Sequence, residues 1–313
     1  MRKRAGLLVA SFVATGVFGQ SLATSAQGGP QGPSVPYETV ATLDSRNTEN
    51  IFQAQNGTTY VTAHEGLKIF RITPDRRVDT FVTMPTDVLG IVGIRDGFVL
   101  TTSARPFAKR DATGRVQFDF SDTGPAAVFL DKKGAITATL PGAKGSFFNG
   151  IAAAKVKGGR DLILIADSSG GTLWRVDAAK KQIEPWLKDP ALAPTKESPV
   201  GADGIKIHNG WVYVNSRNDM YRVRVGADGQ PQGMLTLVAP DTGNNDFDLT
   251  RDGTLYIIVM SSLKKISPRG EVSTVYEKVP PGPDAFISRD GKWVYWSTRG
   301  GDGPQHLLRA PVR

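Results

Sequence analysis

The sequence predicts an all-β protein folded as a six-bladed β-propeller, and its composition and an internal repeat lead to that prediction. The chain has 313 residues, of which 40% are hydrophobic and 22% charged, with 35 glycines and 20 prolines between short apolar runs. This composition is typical of a soluble protein made of many short strands joined by turns. A pattern of four strands recurs about every 40 residues, as in propeller blades. Six copies of the pattern predict six blades.

Each copy begins with an inner strand and continues through a turn into a strongly apolar strand and then a strand that mixes basic and apolar residues. In three copies an aspartate precedes the turn residue by six positions: Asp203 and Asn209, Asp246 and Asp252, and Asp284 and Asp290. Three earlier copies begin at Glu49, Leu89 and Asn149. A further short strand ends each copy except the last. Such four-stranded sheets bury both faces by stacking on their neighbours around a central channel.

The last copy lacks its outer strand, and the segment Tyr37–Leu43 before the first copy has the alternation that a strand requires. We expect this segment to close the ring as the outer strand of the sixth blade. Residues 37–313 therefore form a single propeller domain in this prediction, and residues 27–36 form a flexible linker before it.

The first 26 residues have the features of a signal peptide. Arg2, Lys3 and Arg4 precede an apolar stretch over residues 5–19, and small residues follow, with cleavage expected after Ala23 or Ala26. The apolar stretch is shorter than the roughly 20 residues that span a bilayer. The sequence therefore predicts export, to the periplasm or the medium, and no integral membrane association.

The composition also excludes several classes of site. The chain has no cysteine and only three histidines, so it lacks thiolate zinc sites, disulfides and histidine-rich metal clusters. The formal charge is +8, but the basic residues are spread along the chain. A nucleic acid is therefore not expected as a partner.

The residues that start the six inner strands are expected to face one axis at one end of the channel. They are Glu49, Leu89, Asn149, Asp203, Asp246 and Asp284. Carboxylates gathered at short range repel one another unless a cation bridges them, and calcium takes six to eight oxygen ligands in proteins. The pattern predicts one divalent cation, calcium first, with zinc, magnesium and manganese as alternatives. A second interpretation is that the three aspartates only cap turns.

Several segments together resemble one known family. Glu49, the segment Phe148–Ile151 with residues 165–168 and 173–177, and the segment Asp203–Ile205 are similar to the senescence marker protein 30, gluconolactonase and luciferin-regenerating enzyme family. The resemblance covers about residues 45–300. It implies a six-bladed propeller that binds one divalent cation at its axis and hydrolyses lactones or related esters.

The resemblance also implies roles for individual residues. It makes Glu49, Asn149 and Asp203 the metal ligands and Asp203 the general base, and we include Asp246 of the adjacent blade as a further metal ligand. Asn245 beside Asp246 resembles a little-characterised secreted branch of the family. The family's sugar-lactonases carry a further asparagine and a substrate-binding arginine in the second and third blades. Leu89 stands at the corresponding start in this chain, and no asparagine is matched.

Three arginines are the candidates for substrate binding. Arg105 lies with Arg110 and Arg115 in an insertion over residues 104–124, which we expect to form a lid above the channel. Arg217 and Arg299 end second strands on the channel face, and an arginine binds carboxylates and hydroxylated groups through its fork of donors. These arginines have a simpler interpretation as solvated loop residues. His64, at the end of a second strand, is either a proton carrier or a surface residue.

Two functions are compatible with this pattern. The first is an exported, metal-dependent hydrolase that acts on a small-molecule lactone or related ester, with Asp203 accepting a proton. The second is a non-catalytic propeller that binds a small molecule or a protein partner, because a fold does not determine a function.

Overall fold

The computed structural model describes residues 37–64, 66–156, 159, 161–301 and 303–313. It is an all-β propeller of six four-stranded antiparallel sheets, with one additional two-stranded sheet. The predicted fold class is confirmed. The predicted signal peptide over residues 1–26 and the linker over residues 27–36 lie outside the described residues.

The strands follow the repeat in chain order. The chain starts with β1 (Glu38–Leu43), and blade 1 follows as β2 (Ile51–Gln53), β3 (Thr59–Ala63), β4 (Lys68–Ile72) and β5 (Val78–Thr83). Blade 2 contains β6 (Val88–Ile94), β7 (Gly97–Thr102), the inserted hairpin β8 (Phe107–Arg110) and β9 (Val116–Asp119), then β10 (Ala126–Asp131) and β11 (Ile136–Pro141). Blade 3 contains β12 (Phe148–Lys155), β13 (Asp161–Asp167), β14 (Thr172–Asp177) and β15 (Gln182–Lys188).

The second half of the ring repeats this order. Blade 4 contains β16 (Ala202–His208), β17 (Trp211–Ser216), β18 (Asp219–Val225) and β19 (Pro231–Ala239). Blade 5 contains β20 (Phe247–Leu249), β21 (Leu255–Val259), β22 (Ser262–Ile266) and β23 (Val272–Glu277). Blade 6 contains β24 (Phe286–Ile287), β25 (Trp293–Ser297) and β26 (Gln305–Pro311). The one helical turn described is Pro190–Leu192, and no helix in the described part of the chain is long and apolar enough to cross a membrane.

The core lies between the blades, where the apolar second strands are buried on both faces. In β13, residues 162–166 are fully buried, whereas the outer strand β11 is mostly exposed. Between blades 3 and 4, Leu164, Trp186 and Val212 pack in one cluster. This difference in burial explains why the apolar runs mark second strands and the alternating runs mark outer strands.

The N-terminal strand closes the ring. β1 pairs antiparallel with β26, which gives blade 6 the order β1, β26, β25, β24. Leu43 is fully buried, and Glu38 forms an ion pair with Arg309. The first and last described strands therefore share one sheet, as the alternation over Tyr37–Leu43 predicts.

Two glycines allow neighbouring inner strands to meet at the channel. A Cβ on Gly150 would lie 2.4 Å from the backbone oxygen of Asp203, and a Cβ on Gly204 would lie 2.7 Å from Cα of Asp246. Only glycine permits such an approach without movement of the backbone. The Asn-Gly and Asp-Gly pairs therefore bring the starts of blades 3, 4 and 5 side by side.

Candidate functional site

The candidate site lies where the inner strands start, at one end of the central channel. Three carboxylates from different blades are close enough there to affect one another. Burial raises the pKa of Asp203 most, and the charges of Glu49 and Asp246 raise it further. The structure thus brings Glu49, Asp203 and Asp246 together.

Glu49 is held by an arginine from the last blade. Nη2 of Arg299 donates a hydrogen bond to Oε2 of Glu49 in an ion pair that joins blades 6 and 1. The Glu49 side chain is 13% exposed and that of Arg299 is 41% exposed, so the guanidinium reaches the carboxylate from the solvent side. The predicted metal ligand and one predicted substrate-binding residue are therefore direct partners.

Asn149 contributes an amide whose orientation is fixed. Its Nδ2 donates to Oγ of Ser168 at 3.2 Å, and that hydroxyl donates to the backbone oxygen of Ala202 at 2.7 Å. Since the nitrogen is engaged by blade 3, the amide oxygen is the atom left for a ligand. An amide oxygen is a suitable donor to a hard cation.

Asp203 has an environment unlike that of the other carboxylates. Within the described residues we find no hydrogen bond or ion pair to its side chain, although its backbone is fixed because Gly204 N donates to Oδ1 of Asn215 at 2.9 Å. Burial, followed by the charge of Glu49, raises the pKa of Asp203 well above its usual range. A carboxylate in this situation favours either a proton or a cation.

Asp246 is tied into a network across the channel. Nζ of Lys206 donates to its two carboxylate oxygens at 2.7 and 2.6 Å, and Nδ2 of Asn50 donates to Oδ2. Oδ1 of Asn50 in turn accepts a hydrogen bond from Ile91 N at 3.3 Å. The network joins blades 1, 2, 4 and 5 and already supplies a positive charge to Asp246.

Asp284 is turned into the wall of blade 6. It is 1% exposed, and its Oδ1 accepts hydrogen bonds from the backbone nitrogen and the hydroxyl of Ser297 at 2.9 and 3.0 Å. Burial raises its pKa to about 8, so the neutral acid is the form favoured near neutral pH.

A second group of charged residues lies on the same face beside Glu49. Nδ1 of His64 is 3.8 Å from Oδ2 of Asp87, and Nε of Arg105 is 3.8 Å from the same oxygen. Burial lowers the pKa of His64, which keeps its imidazole neutral at pH 7. His64 is therefore a partly buried neighbour of the site, with a side chain that is 19% exposed.

The arginines of the insertion separate into two groups. Arg105 reaches Asp87, whereas Arg110 donates to Gly114 O within its own hairpin and Arg115 forms an ion pair with Glu197 at 3.7 Å. The hairpin reaches the loop after blade 3, because Gln117 donates to Lys196 O at 3.2 Å. Arg217, by contrast, lies in a tight turn with φ of 54° and interacts with Tyr221 on β18.

No group of three or more histidine, aspartate or glutamate side chains with the geometry of a metal site is found among the described residues. Of the predicted metal ligands, Glu49, Asp203 and Asp246 are carboxylates. Asp246 already forms an ion pair with Lys206, so two carboxylates are left for a cation. A cation at this position would therefore need the amide oxygen of Asn149 in addition to Glu49 and Asp203.

Sequence reasoning missed three residues of the site: Asn50, Asp87 and Lys206. Lys206 had a usable signal, because it is a charged residue between the two isoleucines Ile205 and Ile207 on an inner strand. A charge in such a strand is rare unless it is paired. Asn50 and Asp87 carry no comparable signal, since each is a polar residue beside a turn.

Comparison with known proteins supports the fold and leaves the reaction open. No protein-family model and no curated protein sequence matches the chain. Among solved structures, a luciferin-regenerating enzyme matches with a TM-score of 0.62 and 13% identity, over 89% of this chain and 96% of that one. A gluconolactonase from Xanthomonas campestris matches with a TM-score of 0.61 and 11% identity, over 88% and 89% of the two chains.

A calcium-binding regucalcin from Agrobacterium tumefaciens matches with a TM-score of 0.58 and 14% identity, over 88% of this chain and 96% of that one. The resemblance found in the sequence is thus confirmed as a shared fold. Identities this low show the fold alone, and the same fold also carries a streptogramin B lyase.

Proposed function

We propose that the protein is a divalent-cation-dependent hydrolase of a lactone or related ester, with Asp203 as its general base. The observation that carries this proposal is the environment of Asp203, a carboxylate without a direct partner whose pKa is raised by burial and by the charge of Glu49. Its backbone lies against Gly150, the residue after Asn149. The structural similarity to a gluconolactonase and to a calcium-binding regucalcin supports the reaction class and the cation.

The donor set fits a hard divalent cation. Glu49 engages Arg299 through Oε2, which leaves Oε1 for a ligand, and Asp203 is destabilised as an anion by burial and by Glu49. Two carboxylates and an amide oxygen are ligands that calcium accepts. In this proposal Glu49, Asn149 and Asp203 hold the cation, which when bound polarises the ester carbonyl and lowers the pKa of water. Asp246 belongs to the Lys206 network instead.

The chain's own residues would then perform the remaining steps. Burial and the charge of Glu49 raise the pKa of Asp203, which makes its carboxylate a stronger proton acceptor than an ordinary aspartate. Arg105 and Arg299 present guanidinium groups on the same side of the channel, where they would orient the carbonyl or hydroxyl oxygens of a substrate. His64, whose Nδ1 is 3.8 Å from Oδ2 of Asp87, would act as a second proton carrier beside the site.

A non-catalytic propeller that binds a small molecule is the second candidate. The specific observation in its favour is that Arg299 and Lys206 already neutralise two of the three channel carboxylates. A site with balanced charge needs no cation to be stable, and it would bind a polar ligand through the same donors. In either case we propose an exported protein with a small-molecule ligand, since the first 26 residues have the composition of a signal peptide.

The cation and the reaction are tested together. Calcium, zinc, magnesium or manganese is added to chelator-treated protein, and we expect the thermal midpoint to rise because a ligand that binds only the folded state stabilises it. Glu49→Gln and Asp203→Asn should abolish the rise, whereas Asp246→Asn should retain most of it. A panel of lactones and esters is then assayed by release of acid in the presence of the stabilising cation.

The outcomes separate the two candidates. An unchanged calcium response in Glu49→Gln or Asp203→Asn would show that the ligand assignment is wrong. A cation response without turnover of any lactone or ester would favour the binding protein.

A further inference from the structure

Arg299 occupies an unusual position in the channel. It follows β25, and its backbone is fixed because Arg299 N donates to Pro281 O at 3.0 Å and the residue forms a β-bridge with Asn47. The next two residues, Gly300 and Gly301, have φ of 91° and 85°, which turns the loop away from the channel. The backbone of Arg299 therefore has one defined place from which its side chain extends.

The side chain of Arg299 makes a contact that it can give up. It is 41% exposed and engages Glu49 through Nη2 alone. Lys206 differs, since it is 19% exposed and donates to both oxygens of Asp246 at 2.7 and 2.6 Å. The Lys206 pair is a fixed part of the wall, whereas Arg299 makes a single contact with Glu49 from a half-exposed side chain.

A second place for the guanidinium lies beside the site. A cavity of about 610 Å³ is lined by Arg299 together with Tyr37, Thr298, Gly300 and His306. This space opens next to the loop that carries Arg299, and Glu49 is not among its lining residues. The guanidinium can therefore lie either on Glu49 or toward a ligand bound at the mouth of this cavity.

We propose that Arg299 is a built-in competitor for the divalent cation at Glu49 and that an anionic ligand relieves the competition. The inference rests on the cation of the proposed function. A guanidinium and a divalent cation cannot both neutralise the same carboxylate at full strength, so the Glu49 pair lowers the affinity for the cation. A ligand carboxylate attracts Arg299 through charge-assisted hydrogen bonds and frees Glu49. Cation and anion therefore bind with positive coupling, and the coupling is reciprocal.

Isothermal titration calorimetry with calcium tests the competition. The chelator-treated protein is compared with Arg299→Gln and with Arg217→Gln, in which the arginine at the equivalent position of blade 4 is replaced. We expect Arg299→Gln to bind calcium about tenfold more tightly, since a hydrogen bond to a charged group is worth about 1.5 kcal/mol or more. Arg217→Gln removes the same charge without touching Glu49 and should change the affinity much less.

The coupling is tested by repeating the titration in lactate and in chloride at equal ionic strength. Lactate should raise the calcium affinity of the wild-type protein and leave that of Arg299→Gln unchanged. Complexation of calcium in solution affects both proteins equally, so the difference between them is the measurement. Arg299→Lys, which keeps the charge without the planar fork, should lie between the two and serves as the comparison if Arg299→Gln folds poorly.

The failures of the two proposals are distinguishable. Calcium binding by the wild-type protein that is no weaker than binding by Arg299→Gln would overturn the competition and leave the cation site intact. Equal tightening in Arg299→Gln and Arg217→Gln would also overturn it, because general charge would then be the cause. Absence of binding of any divalent cation by the wild type and all variants would reject this inference together with the proposed cation.

Discussion

The aspartates that start the inner strands of blades 4 and 5 hold equivalent positions in the repeat, and they differ in every contact. Asp203 has no direct partner among the described residues, and its pKa is raised by burial and by the charge of Glu49. Asp246 accepts hydrogen bonds from Lys206 and Asn50. The repeat thus determines where a carboxylate lies, while partners from other blades determine what it can do.

Asp284 of blade 6 extends the comparison. Its single engaged oxygen bonds to Ser297 of the same blade, and it is 1% exposed. Of the three equivalent aspartates, Asp203 is therefore a carboxylate without a direct partner, Asp246 is an ion-paired carboxylate and Asp284 is a buried acid. We call Glu49, Asn149 and Asp203 the open side of the site, and the ion pair of Lys206 with Asp246 its closed side.

The largest expected effect is the loss of catalytic rate when Asp203, on the open side, is replaced. Asp203→Asn removes both a cation ligand and a proton acceptor, whereas Glu49→Gln removes only a ligand. With a substrate found in the lactone panel and with metal at saturation, Glu49→Gln should recover much of its rate. Asp203→Asn should remain lower by about 10²- to 10⁴-fold, the usual contribution of general-base assistance. Steady-state rates over a metal titration measure the gap, and equal recovery of both variants would remove Asp203 from the base role.

The next largest effect is the loss of folding stability when the ion pair of the closed side is removed. Lys206→Met leaves the buried carboxylate of Asp246 without its ammonium partner and should destabilise the fold by about 3 to 5 kcal/mol. The double variant Lys206→Met with Asp246→Asn removes the unpaired charge and should recover most of that loss. Urea unfolding of the two variants measures the difference. A single variant as stable as the wild type would mean that the Lys206 pair is not part of the wall.

The fold was predictable from the sequence because it depends on local signals. Apolar second strands such as β13 and turns at regular spacing determine the blades, and the alternation over Tyr37–Leu43 determines the closure. The position of the candidate site was predicted from the same register, because the inner strands start at one end of the channel. Each of these features lies within one blade or between neighbours in the ring.

The partners within the site were not predictable in the same way. Arg299 and Glu49 are 250 residues apart, and Lys206 and Asp246 are 40 apart, so no local pattern joins either pair. Arg299 was assigned to substrate binding because it ends a second strand, which fixes its blade and face but not the direction of a long side chain. The pairing of these two basic side chains with their carboxylates is therefore the part of the site that the sequence does not predict.

The pH dependence of folding stability distinguishes Asp284 from the paired Asp246. The pKa of Asp284 is raised from 3.8 to about 8 by burial, so the folded protein keeps a proton that the unfolded chain releases. Its stabilising contribution is complete below about pH 4 and is lost as the pH rises through about 8. Asp284→Asn cannot ionise and should remove this loss, which we expect to be about 4 kcal/mol between pH 5 and pH 9.

The measurement is urea unfolding at the two pH values for the wild type and for Asp284→Asn. The amide oxygen of the variant still accepts the hydrogen bond from Ser297 N, so stability at pH 5 should change little. The variant should be the more stable protein at pH 9. A wild-type protein whose advantage over the variant grows with pH would mean that Asp284 is ionised and paired in the fold.

The smallest expected effect concerns the two arginines of the insertion that form ion pairs with other segments. Arg105 meets Asp87 beside His64, whereas Arg115 meets Glu197 in a pair whose side chains are 59% and 73% exposed. Arg105→Gln should raise KM about tenfold with little change in kcat, because it removes a charged hydrogen-bond donor from the side of the open carboxylates. Arg115→Gln is the matched control and should change KM by less than about twofold, as expected for an exposed ion pair.

Both variants lose one charge from the same insertion, so a long-range electrostatic effect on an anionic ligand would alter them equally. Equal changes in KM would therefore assign the insertion a general attraction for the ligand, and a change confined to Arg105→Gln would place the ligand next to Asp87 and Glu49.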